Sequence, residues 1–260
     1  MNEEKKSIFR PNKVAAIVIY ALILFVVAGL ITIVLGVILG SMRNLDTTRV
    51  IESFATTDLT EFELPYIEVN SIAQGWGNFI GYFLALAAAV FFMRDDVITD
   101  FKELGKRKKF YAVYLPVAAV LFVVITYAID ILVSFGVSSS TNQTTIEDII
   151  THGGAVPMIL ATVLFAPVVE ELIYRKAVFS LCKRYGTVAC YLFSTIFFTL
   201  PHMLSSDMSN IGVWLLQCIP YAASGVLLCL VYHKSNYNVY AAIAAHMANN
   251  LLASILILVA

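Results

Sequence analysis

Two adjacent glutamates stand inside a run of the sequence that is otherwise typical of the interior of a membrane helix. The run covers residues 167–179, PVVEELIYRKAVF, and contains Glu170, Glu171, Arg175 and Lys176. A charged side chain at the centre of a membrane helix costs roughly 2.5 to 3.5 kcal/mol, and such groups usually face the bundle interior and mark function. The alternative interpretation is that the run is the cytoplasmic end of a span, from which the charges reach water.

Helical geometry predicts different neighbours for the two carboxylates. Glu171 and Arg175 are four residues apart with the acid first, which is the favoured order for a helical ion pair. Glu170 is rotated by about 100° from Glu171, and we expect it to stack with Tyr174 at its own i+4 position. Glu171 is therefore interpreted as paired and structural, whereas Glu170 is free to act as a general base.

A histidine in the next apolar segment can reach the level of Glu170. The segment contains FFTLPHM, in which Phe198 and His202 are four residues apart and Pro201 removes a backbone N–H. Glu170 lies 15 residues before the short turn near Tyr185, and His202 lies 17 residues after it. In an antiparallel hairpin their heights therefore differ by only about 3 Å.

The last apolar segment places two more polar side chains at this level. It contains AAHMANNLLA, in which His246 and Asn250 share one helix face and Asn249 is turned away. They lie about 17 and 22 Å from the turn near Ser235, close to the height of Glu170. A single histidine or asparagine in a span is usually a packing or interhelical bonding residue. Because four such groups from three helices share one level, we predict a functional site.

The composition indicates what kind of protein must position these residues. Of the 260 residues, 60% are hydrophobic and 13% are charged, whereas soluble domains have about 25% charged residues. The chain is therefore expected to be an integral membrane protein, and its net charge of −1 argues against a nucleic-acid surface. Seven apolar segments are long enough to span a bilayer. They are residues 14–40, 77–93, 111–137, 156–182, 187–204, 211–232 and 239–259.

We predict an all-α fold, a polytopic membrane helix bundle of about seven helices with a four-helix catalytic core in its C-terminal half. Residues 1–155 would form an N-terminal transmembrane region with three spans, and residues 156–260 the core with four. Segment 41–71 is interpreted as an acidic outer loop, and SSSTNQTT at residues 138–145 as a polar connector. Gly36 and Gly40 form a GxxxG pattern, which more often marks close packing than a specific dimer, and a homodimer is kept as the alternative interpretation. The four cysteines predict no disulfide.

The distribution of lysine and arginine predicts the orientation, because cytoplasmic loops carry the excess of these residues. Fifteen of the seventeen fall on one side of a seven-span layout, and Arg43 and Arg49 fall on the other. The group before the first span consists of Lys5, Lys6, Arg10 and Lys13. We therefore expect a multi-pass protein of the cell membrane with a cytoplasmic N-terminus and an extracytoplasmic C-terminus.

Three motifs in this order resemble the CPBP family of intramembrane proteases. They are EELIYR at residues 170–175, FTLPH at 198–202 and HMANN at 246–250. The family includes the type II CAAX prenyl proteases and the bacterial Abi and bacteriocin-immunity proteins. The resemblance covers about residues 156–256, and Lys176 stands where many members have glycine.

The resemblance implies that Glu170 activates a water for attack on a peptide carbonyl and that His202 helps to position it. His246 and Asn250 would stabilise the oxyanion. Glu171 and Arg175 would support the site, together with Tyr174 and Phe198. The spacing leaves open whether a metal takes part, since Glu170, His202 and His246 could also form a His₂Glu set for Zn²⁺.

The implied activity is that of an intramembrane endopeptidase acting on a membrane-associated or lipidated protein or peptide. The sequence does not indicate whether the substrate is prenylated. Two alternatives have different consequences. A non-catalytic membrane partner, including a bacteriocin self-immunity protein, would not need the charge of Glu170. A small transporter would also use buried Glu and His, but no internal repeat is visible.

Overall fold

The computed structural model describes residues 10–56 and 58–260, and these residues form an all-α bundle with no strand. Lys5 and Lys6, on which the predicted orientation partly rests, lie outside the described residues. Eight helices follow one another in the described part of the chain. They are α1 (Pro11–Met42), α2 (Thr47–Ser53), α3 (Leu64–Lys106), α4 (Lys108–Ser134), α5 (Thr141–Tyr185), α6 (Thr187–Met203), α7 (Ile211–Lys234) and α8 (Val239–Val259).

Six of the described helices are long and apolar enough to cross a membrane, which confirms a polytopic bundle. The remaining predicted span corresponds to α6, which is apolar but has 17 residues, so the predicted number of seven is approximate. Helix α3 has 43 residues and extends well beyond its predicted span of residues 77–93. Its backbone leaves helical geometry at Met93, where that predicted span ends.

The first and third helices approach closely through small side chains. Gly77 of α3 lies against Thr32 of α1, and Gly81 lies against Ala28, with no room for a methyl group at either glycine. The GxxxG pattern of α1 has an intramolecular partner as well, because Gly40 packs against Val50 of α2. The segment predicted as an outer loop is thus partly helical, and one of its helices fills the groove beside α1.

The polar connector predicted at residues 138–145 is instead helical from Thr141, where α5 begins. The Ser140 side chain caps this helix by accepting a hydrogen bond from the amide of Gln143, 3.3 Å away. The helix bends at His152 and Gly153, and the φ angle of +100° at Gly153 is one that glycine adopts without strain. The polar composition before Thr141 was therefore interpreted as a loop, although it contains the cap of a helix.

Helix α5 is the central helix of the bundle. In the most apolar 18-residue stretch of α5, 61% of the residues are buried, whereas the corresponding share in the other spans is 11 to 28%. The helix contacts α1, α3, α6 and α8. Wider π-helical turns at residues 150–154 and 161–165 precede Pro157 and Pro167. Because proline cannot donate to the preceding turn and crowds it, these wider turns accommodate both prolines within one helix.

The end of the bundle that carries Lys108, Lys183 and Lys234, here called the basic end, contains a buried ionic cluster. Within this basic-end cluster, Lys13 Nζ lies 3.1 Å from Asp96 Oδ1 and donates to the carbonyl of Lys176 at 2.8 Å. Lys176 Nζ is in turn 2.7 Å from both carboxylate oxygens of Asp100. Asp100 also accepts the amide of Val239 at 2.7 Å. The cluster joins α1, α3 and α5 to the start of α8.

Candidate active site

Glu170 lies on α5 immediately before a π-helical segment, Leu172–Val178, and only 3% of it is exposed. Its Oε1 atom accepts a hydrogen bond of 2.9 Å from the hydroxyl of Tyr82, on α3. Its Oε2 atom has no hydrogen-bond partner among the described residues and lies 4.0 Å from His246 Nε2. One carboxylate oxygen is therefore fixed by a hydrogen bond, and the other is buried without one.

Glu171 is fully buried and bridges two other motif residues. Its Oε2 atom lies 3.1 Å from Arg175 Nε, which confirms the predicted ion pair. Its Oε1 atom lies 3.1 Å from His246 Nδ1. Because an ionised carboxylate can only accept, Nδ1 donates to Glu171, and Nε2 is the ring nitrogen directed toward Glu170. Glu171 thus holds the imidazole through Nδ1, and Glu170 lies on its opposite side at a longer distance.

Arg175 is fully buried, and its environment supplies hydrogen-bonding and aromatic contacts. Its Nη1 atom donates to Ser194 Oγ at 3.0 Å, and Ser194 donates to the carbonyl of Tyr174 at 2.9 Å. The guanidinium also lies over the ring of Phe198, 5.1 Å from its centroid. This environment excludes the interpretation that Arg175 reaches water at the end of a span.

His202 lies near the end of α6 and has a defined hydrogen-bonding state. Its Nδ1 atom is 2.8 Å from the carbonyl oxygen of Phe198. A carbonyl can only accept, so Nδ1 carries a hydrogen, and Nε2 of the neutral ring can accept one. The imidazole stacks on Tyr221 of α7 at a centroid distance of 4.8 Å. His202 is therefore held by one backbone bond and one aromatic face.

The two adjacent asparagines of α8 bind different helices. Asn250 donates its side-chain amide to the carbonyl of Thr162 at 2.9 Å. Thr162 lies in the π-helical turn at residues 161–165. Asn249, which the sequence predicted to be turned away, accepts a hydrogen bond of 2.8 Å from Thr126 on α4. One asparagine thus faces α5, and the other anchors α8 to the N-terminal half.

Tyr174 contacts two other aromatic residues. Its hydroxyl is 3.0 Å from that of Tyr20 on α1, and its ring packs edge-on against Phe198 at 5.6 Å. The stacking of Glu170 with Tyr174 stays a prediction, and the hydrogen bond to Glu170 comes from Tyr82. Sequence reasoning missed Tyr82. The available signal was a tyrosine within an apolar span, since a buried tyrosine hydroxyl generally needs a polar partner.

A cavity of about 890 Å³ brings the four predicted catalytic residues together. Glu170, His202, His246 and Asn250 all contribute to its wall, as do Tyr82 and Tyr221. Their common cavity agrees with the height estimates from the helix turns. The cavity continues along α4 and the beginning of α5, toward the end of the bundle opposite the basic end. An extended substrate could therefore enter from that end.

Glu170, His202 and His246 are the residues that would bind Zn²⁺ if a metal took part. Among residues 10–56 and 58–260, no three His, Cys, Asp or Glu side chains form a group arranged to hold a metal ion. His246 directs Nδ1 to Glu171, and its Nε2 is 4.0 Å from Glu170 Oε2. His202 uses Nδ1 for the carbonyl of Phe198. Nδ1 of each histidine is thus held by a carboxylate or a carbonyl and Nε2 is left free, as in metal-bound histidines, so Glu170, His202 and His246 keep the chemistry of a metal-ligand set although they are not gathered into one in this arrangement.

The fold and the cavity define a multi-pass helical membrane protein with a buried carboxylate and two histidines at an internal cavity. Residues 152–252, which include all three motifs, match the family model described as type II CAAX prenyl endopeptidase Rce1-like. This match confirms the predicted resemblance to the CPBP and CAAX protease family for that segment, and the activity it implies is intramembrane proteolysis. No curated protein and no solved structure gives a significant match.

Proposed function

We propose that the chain is an intramembrane endopeptidase that hydrolyses a peptide bond of a membrane-associated or lipidated protein or peptide, with Glu170 activating the attacking water. The single observation that carries this proposal is the state of the Glu170 carboxylate. It is 97% buried at the cavity wall, Tyr82 fixes one oxygen, and the other oxygen has no hydrogen-bond partner among the described residues. This is the arrangement that a general base requires.

In the proposed reaction, Glu170 Oε2 takes a proton from water while the water oxygen attacks the peptide carbonyl carbon. The carbonyl electron pair moves to its oxygen, and the resulting tetrahedral intermediate expels the amine. The amine leaves with the proton that Glu170 accepted. His202 Nε2 positions the water by accepting its second hydrogen, in agreement with the donor role of Nδ1 toward Phe198.

The oxyanion of the intermediate is assigned to His246 and Asn250. In its protonated form, His246 donates Nδ1–H to Glu171 and can donate Nε2–H to the oxyanion. The Asn250 amide uses one hydrogen for the carbonyl of Thr162 and keeps a second for the same purpose. The ion pair of Glu171 and Arg175 keeps His246 in position.

The orientation completes the proposal. We infer a cytoplasmic N-terminus and an extracytoplasmic C-terminus, because lysine and arginine are concentrated at the basic end. The cavity then opens toward the extracytoplasmic side. Cysteine labelling from outside intact cells tests this topology, with Ser209→Cys expected to be labelled and Gly105→Cys expected to be protected. The reverse pattern would contradict the proposed orientation.

The decisive experiment uses the purified full chain in nanodiscs with a panel of farnesylated and unlipidated membrane peptides. Mass spectrometry identifies the products, and Glu170→Gln is the matched control because it preserves side-chain size. Cleavage by the wild-type chain and loss in the variant are expected. Equal cleavage by both would overturn the role of Glu170. Parallel assays with a chelator and metal analysis of the same sample test for a metal requirement.

A further inference from the structure

The cavity wall carries a charge pattern that the proposed reaction does not use. Two further carboxylates, those of Asp130 on α4 and Glu147 on α5, line the cavity beyond the catalytic level. Among the described residues that form the wall, none is lysine or arginine. Glu147 accepts a hydrogen bond of 2.9 Å from Gln143, whereas no described residue bonds the side chain of Asp130. Asp130 is therefore an exposed carboxylate without a counter-charge, four residues before the end of the otherwise largely apolar helix α4.

The position of Asp130 relative to the site follows from the bond between α4 and α8. Thr126 is hydrogen-bonded to Asn249 at 2.8 Å, so this part of α4 lies at the level of the asparagine pair. Asp130 is four residues further along α4, which is about 6 Å along the helix axis. An extended peptide advances about 3.3 Å per residue. A substrate side chain within about two residues of the scissile bond therefore passes Asp130.

The segments at the same end of the bundle have the same sign of charge. Segments 41–71, 138–155 and 205–210 contain nine acidic residues and two basic residues, Arg43 and Arg49. Both arginines are already engaged, since Arg43 pairs with Glu68 at 2.7 Å and Arg49 with Glu63 at 3.1 Å. A surface field of one sign around a cleft raises the local concentration of oppositely charged ligands. The approach to the cavity thus favours cations.

We propose that Asp130 forms a cation subsite, so that the preferred substrate is a peptide with a lysine or arginine within about two residues of the scissile bond. The proposal rests on the proposed hydrolysis for the placement of that bond. The independent observation is that Glu170, a buried side chain whose Oε2 atom has no partner among the described residues, lines the same cavity. The same wall offers no basic group for the free carboxylate of a peptide C-terminus, so an internal bond is preferred.

Binding and cleavage are measured separately so that the two proposals can fail separately. The probes are fluorescent ten-residue peptides of leucine and alanine, acetylated and amidated, with one lysine scanned through the sequence and matched peptides carrying norleucine or glutamate there. Fluorescence anisotropy measures their binding to the full-length Glu170→Gln protein in nanodiscs. The wild-type chain is then assayed for cleavage of the same set.

We expect the lysine peptide to bind about tenfold more tightly than the glutamate peptide when the lysine is at the best position. Asp130→Asn, added to the Glu170→Gln protein, should reduce this ratio to about two, and Asp130→Lys should invert it. Glu52→Gln is the matched control, because it removes an exposed carboxylate outside the cavity wall and should preserve the ratio. Thermal melting verifies that each variant is folded.

An unchanged ratio in both Asp130 variants would overturn the cation subsite. Tighter binding of a peptide with a free C-terminal carboxylate than of its amidated form would also overturn it. Preferential binding of the lysine peptide without cleavage by the wild-type chain would contradict the proposed hydrolysis and leave the subsite supported. The two readouts therefore assign each failure to one proposal.

Discussion

The catalytic cavity and the basic-end cluster both bury charged side chains, but they differ in how completely those charges are paired. In the basic-end cluster, Lys13 and Lys176 contact carboxylates and backbone carbonyls, and Asp100 accepts from both a lysine and an amide. At the cavity, Glu170 Oε2 has no hydrogen-bond partner among the described residues. Buried polar groups are normally satisfied, so an unpaired one calls for a functional explanation. Under the proposed function, the basic-end cluster contributes stability and the cavity contributes the chemistry.

The largest expected effect comes from removing the unpaired charge. Glu170→Gln should lower kcat by about 10³-fold, because an amide cannot act as the general base. The thermal midpoint should stay the same or rise, since the variant removes a buried carboxylate that lacks a full set of partners. Single-turnover cleavage and thermal melting of the same sample measure both quantities. A large drop in melting temperature would show that the charge of Glu170 is structural.

The second prediction concerns the basic-end cluster, where we expect a loss of stability with little change in activity. Lys176→Met should destabilise the protein by about 3 to 5 kcal/mol, because it leaves the buried carboxylate of Asp100 without its cation. Activity per folded molecule should stay within about threefold of the wild type, since Lys176 contacts no group in the cavity wall. Denaturant titration in detergent measures the stability.

The double variant Lys176→Met with Asp100→Asn is the control for this prediction. Removing both charges should restore part of the lost stability, because no unpaired charge remains. If kcat fell more than tenfold in folded Lys176→Met protein, the basic-end cluster would affect activity as well as stability, which would contradict the comparison.

A third prediction tests the hydrogen bond that Tyr82, in the N-terminal half, donates to the Glu170 carboxylate. Tyr82→Phe removes a hydrogen bond to a charged group, a contact worth about 1.5 to 3 kcal/mol, so kcat/KM should fall about 10- to 100-fold. Tyr20→Phe is the matched control, because it removes a tyrosine bond to Tyr174 and leaves that to Glu170 intact. Equal losses in the two variants would indicate a general packing effect.

The smallest expected effect is at the stacking partner of His202. Tyr221→Phe keeps the aromatic face and loses the hydroxyl contact with Ser140, which is 2.7 Å long. We expect kcat/KM to decrease no more than about threefold, a loss within the range for one neutral hydrogen bond. Tyr221→Ala should reduce it further by freeing the imidazole. A larger loss in the phenylalanine variant than in the alanine variant would contradict the stacking role.

The sequence predicted the elements whose signals are local. Apolar length located the spans, and the i, i+4 rule predicted the pair of Glu171 and Arg175. Counting residues from the turns also placed Glu170 and His202 at similar heights, because antiparallel helices with a short connection have a defined register. These predictions needed no knowledge of how distant helices pack.

Other features depend on packing between distant segments and could not be obtained in this way. The bond from Tyr82 to Glu170 joins residues 88 positions apart, and nothing in the local pattern of α3 fixes which way Tyr82 points. The helix start at Thr141 was missed because Ser140 and its neighbours have a loop-like composition, although serine is also a strong N-cap. The pairing of Lys176 with Asp100 likewise depends on how helices that are distant in the sequence pack together.

The bond from Tyr82 has a consequence for how the protein can be re-engineered. The matched family segment begins at residue 152, so the donor to the Glu170 carboxylate lies outside that segment. The environment of Glu170 is therefore set in part by α3. A chimera that replaces α3 alters the environment of Glu170 without touching a motif residue.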